Sequence, residues 1–326
     1  MSDQKSSVSP FPPPSDLTLA VIGAGAWGKT LAELARSRGH QVRVWSRQSG
    51  DHLQAVLEGA DVVISAVSMK GVRAIVDQVQ AAGVLPQAIF VTATKGLDPD
   101  SGGEATFPLL PSQIWQAAFP THSVVVLSGP NLSKEIQQGL PAATVVASQN
   151  MTAAETVQMA LSSPSFRAYT NSDVLGVELG GTLKNVIAIA VGTCDGLQLG
   201  TNAKAALVTR GLAEIIRVGT DWGAKPETFY GLSGLGDLLA TCNSPLSRNY
   251  QVGYGLAQGK SLSDVLTHLE GTAEGVNTTR VLIQLASQQN IVVPISHQVD
   301  RLLKGEITPQ AAVEALMLRD YKPEIR

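Results

Sequence analysis

The sequence predicts an α/β fold in which a doubly wound parallel sheet is followed by an all-helical C-terminal domain. Three observations carry this reading. Short apolar runs alternate with helical patterns over residues 17–172, a glycine-rich turn closes the first of those runs, and strand signals disappear after about Asp173. Strands that alternate with helices pair in parallel, because a parallel neighbour is reached only through a long crossover.

The elements follow in order. Leu17 to Gly25 reads as a buried strand ending in glycine, and Leu31, Leu34 and Ala35 mark the helix that follows it, closed by Gly39. Val42 to Trp45 is the second strand. Val62 to Val67 and Ile89 to Ala93 are the next two, with a helical stretch around Gly71 to Val79 between them, and Val124 to Leu127 and Thr144 to Ala147 continue the pattern. From Val174 to Gly219 the chain is rich in Ala, Gly, Leu and Ile at helical spacing, and glycines and prolines punctuate further helices to the C-terminus. The division is therefore a dinucleotide-type α/β domain over 17–172 and a helical domain over 173–326. Met1 to Asp16 is Ser- and Pro-rich without an apolar run and is expected to be a disordered tail, not a secretory signal.

Composition narrows the function classes. The chain has 326 residues, 44% of them apolar, and a formal net charge of −3. So balanced a charge offers no field to gather nucleic acid or an anionic membrane surface. No apolar run reaches the roughly 18 residues of a membrane span without a charged or polar break. Cys194 and Cys242 lie far apart and fit free thiols in a reducing, cytoplasmic setting. His40, His52, His122, His268 and His297 form no ligand-spaced pair, so no metal is expected.

Gly23-Ala24-Gly25-Ala26-Trp27-Gly28 fits G-x-G-x-x-G, follows an apolar strand and opens a helix, the context that lends the motif meaning. Gly23 permits the tight turn, Gly25 lets backbone N–H groups approach a pyrophosphate, and Gly28 lets helix and strand pack closely. The anion then lies at a helix N-terminus. These residues predict a Rossmann-like dinucleotide site. At the end of the second strand the chain reads Val44-Trp45-Ser46-Arg47, with no acid until Asp51 to bond a ribose 2′-hydroxyl. Arg47 can instead pair with a 2′-phosphate, so NADP(H) is favoured and NAD(H) tolerated.

Candidate chemistry lies in the second half. Lys184 stands in a strongly apolar helical stretch, Leu179 to Ala190. A buried ammonium lowers its pKa and can trade a proton with an alkoxide; alternatively the side chain snorkels to the surface. Asp237 either holds Lys184 or a substrate hydroxyl, or caps the helix beginning near Leu238. Ser247-Arg248-Asn249 opens another helix and suits a phosphate monoester, or is a plain cap with an exposed arginine. Lys95 and Ser128-Gly129-Pro130-Asn131 follow strands at the carboxyl edge of the sheet, where such folds bind ligands.

With these residues assembled, the chain resembles the NAD(P)-dependent glycerol-3-phosphate dehydrogenases of bacteria and plastids. The matching pieces, in order, are the glycine turn, Ala93-Thr94-Lys95-Gly96-Leu97, Leu127-Ser128-Gly129-Pro130, Glu178-Leu179-Gly180-Gly181-Thr182-Leu183-Lys184-Asn185, Gly234-Leu235-Gly236-Asp237-Leu238, Ser247-Arg248-Asn249 and Ala273-Glu274-Gly275-Val276. The resemblance implies that Lys184 is the acid/base and that Asp237 positions it. It also implies substrate contacts from Lys95, Gly129, Asn131, Lys184, Asp237, Ser247, Arg248 and Asn249. Cofactor contacts carried over in the same way are Ala26, Trp27, Arg47, Lys95, Ser133, Arg248 and Glu274. The implied reaction is reduction of dihydroxyacetone phosphate to sn-glycerol 3-phosphate for phospholipid synthesis, by a homodimer. One departure stands out: only Gln48 to Ala60 separates Arg47 from the next strand, a shorter segment than the family usually has. Two other readings are another β-hydroxyacid dehydrogenase, against which the Arg248–Asn249 pair and the lack of a sugar-acid signature argue, and a non-catalytic dinucleotide sensor, against which the presence of Lys184, Asp237 and Arg248 in their motifs argues.

Overall fold

The computed structural model describes residues 16–50, 52–101 and 107–319. The tail expected over 1–16 therefore lies, Asp16 excepted, outside the described residues.

The dinucleotide domain runs β1 (Thr18–Ile22), α1 (Ala26–Ser37), β2 (Gln41–Trp45), α2 (Leu53–Leu57), β3 (Val62–Ser65), α3 (Val72–Ala82), β4 (Ile89–Thr92), α4 (Pro111–Ala118), β5 (Val124–Ser128), α5 (Ser133–Gln137), β6 (Ala142–Ala147), α6 (Met151–Leu161) and β7 (Phe166–Asn171). The strands form one sheet in the order β2-β1-β3-β4-β5-β6-β7. Alternate residues feed opposite faces. Leu19, Val21, Ile64 and Val91 pack under α1 and α6, while Ala20, Ile22, Val63 and Phe90 pack under α2, α3 and α4. Strand order reverses between β1 and β3, so a crevice opens at their carboxyl ends.

Two features differ from expectation. The sheet is parallel except between β5 and β6, which pair antiparallel. Their connection holds only the five-residue α5, and the chain turns back at the same end of the sheet. The edge strand β7 went unread because its sequence, Phe-Arg-Ala-Tyr-Thr-Asn, buries only Phe166 and Ala168 and looks polar.

The helical domain comprises α7 (Val174–Gly196), α8 (Gly200–Asp221), α9 (Asp237–Cys242), α10 (Arg248–Ala257), α11 (Leu262–His268), α12 (Glu274–Gln289), α13 (Pro294–Leu303) and α14 (Pro309–Met317). Asp173 opens it: its carboxylate accepts from Gly176 N at 3.0 Å, capping α7, and from Lys225 N and Thr228 Oγ1. Helix α7 is apolar and long enough to cross a membrane, yet 89% of its most apolar window is buried inside the protein, as befits a central core helix. The domain boundary is not clean. Leu97 and Leu110, in the β4–α4 loop, belong to the helical core, and Phe107 stacks on Trp222 at 5.0 Å. This loop is what carries Lys95 between the domains.

Candidate active site

The glycine turn has the geometry its sequence promises. Gly23 sits at φ +112°, and a Cβ there would come within 2.6 Å of the Ala66 carbonyl oxygen. A Cβ on Gly28 would collide with the Gly23 carbonyl. Around Gly25 the space is open, and Gly25 caps α1 with no side chain over the first N–H groups and no acid in the first turn. Gly25 and Ala26 are exposed, while Trp27 packs against the sheet side of α1. Free N–H donors, the positive helix end and room for an anion fit the pyrophosphate of a dinucleotide.

Arg47 is exposed in the turn after β2, at the mouth of the same crevice. The short segment after it folds as α2, and Arg43 closes that helix by donating to the Ala55 and Glu58 carbonyls.

The helical domain holds most of a buried charged cluster. Lys184, on α7, is buried and donates to Asp237 Oδ1 at 2.6 Å and to the Thr241 hydroxyl. The other carboxylate oxygen of Asp237 accepts from Lys95 Nζ at 2.5 Å, and Lys95 also donates to the Gly129 carbonyl at 3.0 Å. Snorkelling is thereby ruled out for Lys184, and Asp237 is its partner from within the first turn of α9. Burial pulls the Lys184 pKa down to about 8; Asp237 opposes that shift and the Lys95 charge reinforces it. Two ammonium groups share one carboxylate, so the cluster carries one uncompensated positive charge where the domains meet. An anionic substrate, or an oxygen gaining negative charge, would neutralise it.

Beside this cluster, Asn249 Nδ2 donates to Asn185 Oδ1 at 2.8 Å, and Asn249 Oδ1 accepts from Gly275 N at 2.9 Å. Ser247 caps α10 by accepting from Tyr250 N, so its hydroxyl already has a structural duty. Arg248 is exposed over Gly271, in the electrostatic reach of Glu274. Glu274 opens α12 and accepts from Met69 N at 3.1 Å across the domain junction; burial raises its pKa, against the pull of that N–H, Arg248 and Lys70. On the sheet side, Gly129 adopts φ +151° after β5, Asn131 donates to Thr144 Oγ1 with its own Oδ1 buried and unpartnered, and Ser133 opens α5 half-exposed.

Two site residues escaped the sequence reading. Thr241 stands four residues after Asp237, one turn on along the same helix face, a spacing that would have flagged it. Asn185 adjoins Lys184 but joins the site only through α10, which lies 64 residues away.

A dinucleotide turn in an α/β domain, together with a Lys–Asp–Lys cluster shared between that domain and a helical one, defines a nicotinamide-dependent dehydrogenase. Models of the NAD-dependent glycerol-3-phosphate dehydrogenase family match the chain, the N-terminal one over residues 18–53 and 48–154 and the C-terminal one over 173–314. The two N-terminal matches overlap over residues 48–53, within the Gln48–Ala60 segment. Curated relatives include the glycerol-3-phosphate dehydrogenase [NAD(P)+] of Nostoc sp., 67% identical over 95% of this chain and 99% of that one. The enzyme of the same name from Gloeobacter violaceus is 56% identical over 94% and 99%. Among solved structures, glycerol-3-phosphate dehydrogenase of Coxiella burnetii superposes with a TM-score of 0.86 at 32% identity, over 93% and 99% of the two chains. The 3-hydroxyisobutyrate dehydrogenase of Mycobacterium tuberculosis, at 14% identity and a TM-score of 0.51 over 93% and 99%, shares the fold alone. The chain belongs to the NAD-dependent glycerol-3-phosphate dehydrogenase family.

Proposed function

We propose that this protein reversibly reduces dihydroxyacetone phosphate to sn-glycerol 3-phosphate with NADP(H) or NAD(H), supplying the backbone for glycerophospholipids. The observation that carries this reading is the cluster of buried Lys184 and Asp237 with half-buried Lys95, which follows β4 at the carboxyl edge of the sheet that also bears the dinucleotide turn. The turn would hold the pyrophosphate on the α1 N-terminus, with Ala26 and Trp27 beside it and Arg47 toward the adenosine ribose. Lys95, Ser133, Arg248 and Glu274 would lie toward the nicotinamide end.

When bound, the reduced nicotinamide supplies a hydride to the substrate's carbonyl carbon. Lys184 then gives its proton to the carbonyl oxygen as that oxygen becomes an alkoxide. Asp237 holds the ammonium in place and favours its charged form, and Thr241 fixes its direction. Lys95, shared between Asp237 and the Gly129 carbonyl, adds positive charge at the same point. Arg248 and the α10 N-terminus, with Ser247 and Asn249, suit the phosphate; Gly129 and Asn131 close the sheet side. In the reverse direction neutral Lys184 takes the hydroxyl proton.

The test is loss of NADPH, and then NADH, absorbance with purified protein and dihydroxyacetone phosphate. Oxidation that depends on this substrate supports the reading. No oxidation from folded protein that still binds dinucleotide moves it to another hydroxyacid substrate or to a sensor. A homodimer in the cytoplasm belongs to the same proposal, supported by the family resemblance; light scattering on the 34.1 kDa chain should then give about twice that mass.

A further inference from the structure

Helix α7 carries Lys184 and comes especially close to two of its neighbours at glycines. A Cβ on Gly181 would collide with the Ser128 hydroxyl, and one on Gly180 would come within 2.8 Å of the Ser233 carbonyl. These two contacts bring backbones close without interlocking side chains, while the apolar residues of α7 pack into the helical core. The cap at Asp173 ties α7 to Lys225 and Thr228, which lie in the same helical domain. Val177 packs α7 on Val126, Val145 and Ala147 of the dinucleotide domain, and one polar group ties it there as well. Glu178 is 2% exposed, and its carboxylate accepts from Ser112 N at 2.9 Å and from the Ser112 hydroxyl. Ser112 lies in the first turn of α4, so the carboxylate of one domain caps a helix N-terminus of the other.

Glu178 precedes Lys184 by six residues, about 9 Å along the axis and roughly two-thirds of a turn round it. The helix is thus held from two sides, at Lys184 by Asp237 and Thr241 and at Glu178 by α4. We propose that Glu178 is a positioning residue: by capping α4 through Ser112 it fixes the axial place and rotation of α7, and so sets Lys184, with the substrate beside it, against the dinucleotide that the other domain would hold. The proposal rests on the dehydrogenase reading above. It gives the buried carboxylate a duty beyond stability, because displacing a catalytic group by about 1 Å can cost a hundredfold in rate.

The test compares full-length Glu178→Ala, Glu178→Gln, Ser112→Ala and the Glu178→Ala/Ser112→Ala pair. For each, kcat and KM for dihydroxyacetone phosphate are measured beside dinucleotide affinity and thermal midpoint. Turnover by the unaltered protein is recorded first, since its absence would sink the dehydrogenase reading and not this one. The expectation for Glu178→Ala is a kcat about ten- to a hundredfold lower with dinucleotide affinity within about twofold. Glu178→Gln, which keeps an acceptor oxygen, should restore most of the rate, and the double variant should be no slower than Glu178→Ala. If Glu178→Ala folds and keeps its kcat, the proposal is overturned. It is equally overturned if kcat changes only as the folded fraction does, or if the two alanine effects simply add. Should Glu178→Ala fail to fold, Glu178→Gln and Ser112→Ala decide alone: the proposal expects a lowered kcat at unchanged dinucleotide affinity from Ser112→Ala, and full activity from both would end it.

Discussion

The two halves of the candidate active site are built on different principles. The dinucleotide turn is made of backbone, and every atom that shapes it comes from a six-residue stretch and the strands on either side. The Lys184 pocket is made of side chains drawn from distant parts of the chain: Lys95 and Asp237 are 142 residues apart, and Lys184 and Asp237 are 53 apart. A backbone site demands small residues at fixed spacing and so writes a local signature. A side-chain site demands only that the fold bring suitable charges together, and its members look ordinary where they stand.

The comparison predicts that damage will separate cleanly. The largest effect should come from Lys184→Ala, which removes the proposed proton donor and leaves Asp237 to Lys95 and Thr241. Turnover should fall by about a thousandfold or more, within the range general acid–base groups supply, while dinucleotide affinity stays within about twofold. Steady-state kinetics beside a fluorescence titration would read both, and near-normal turnover would remove Lys184 from the acid/base role. Gly28→Ala should do the reverse. Its new methyl group meets the Gly23 carbonyl, so the turn must distort, at a cost of about 1–3 kcal/mol in stability. The thermal midpoint should fall and added NADPH should no longer raise it; full stabilisation by NADPH would show the turn more pliant than its geometry says. Smallest is Arg47→Ala, which should raise KM for NADPH about tenfold, worth one charge-assisted contact, and leave NADH nearly unchanged. Equal effects on both cofactors would take the 2′-phosphate away from Arg47.

The same contrast explains what could be read before the structure. The strands β1 to β6, the glycine turn and the onset of helix at Asp173 were legible because burial imposes its period on the residues. β7 was not, being an edge strand with one polar face. The antiparallel turn between β5 and β6 was also hidden, since it depends on where α5 ends and not on composition. In the pocket, Lys184 looked odd enough in an apolar helix to be noticed, but physics left snorkelling open until Asp237 and Thr241 were seen beside it. The resemblance to a family, more than any spacing, joined Lys95, Asp237 and Arg248 to it. Asn185 and Thr241 were missed because their roles come from partners on other helices. The intrusion of Leu97 and Leu110 into the helical core was equally out of reach, since an apolar loop residue does not say which core it enters.

The most direct test of the central claim, that Lys184 in its buried pair with Asp237 moves the proton, is the pH dependence of kcat/KM, which reports the free enzyme, in both directions. Burial sets the Lys184 pKa at about 8, and reduction needs the charged form. The rate of dihydroxyacetone phosphate reduction should therefore hold steady below that value and fall as pH rises through it. Glycerol 3-phosphate oxidation should climb over the same interval, and Asp237→Asn, by removing the charge that favours the ammonium, should move both midpoints to lower pH. Profiles that are flat through this range, or that do not move in Asp237→Asn, would contradict the account.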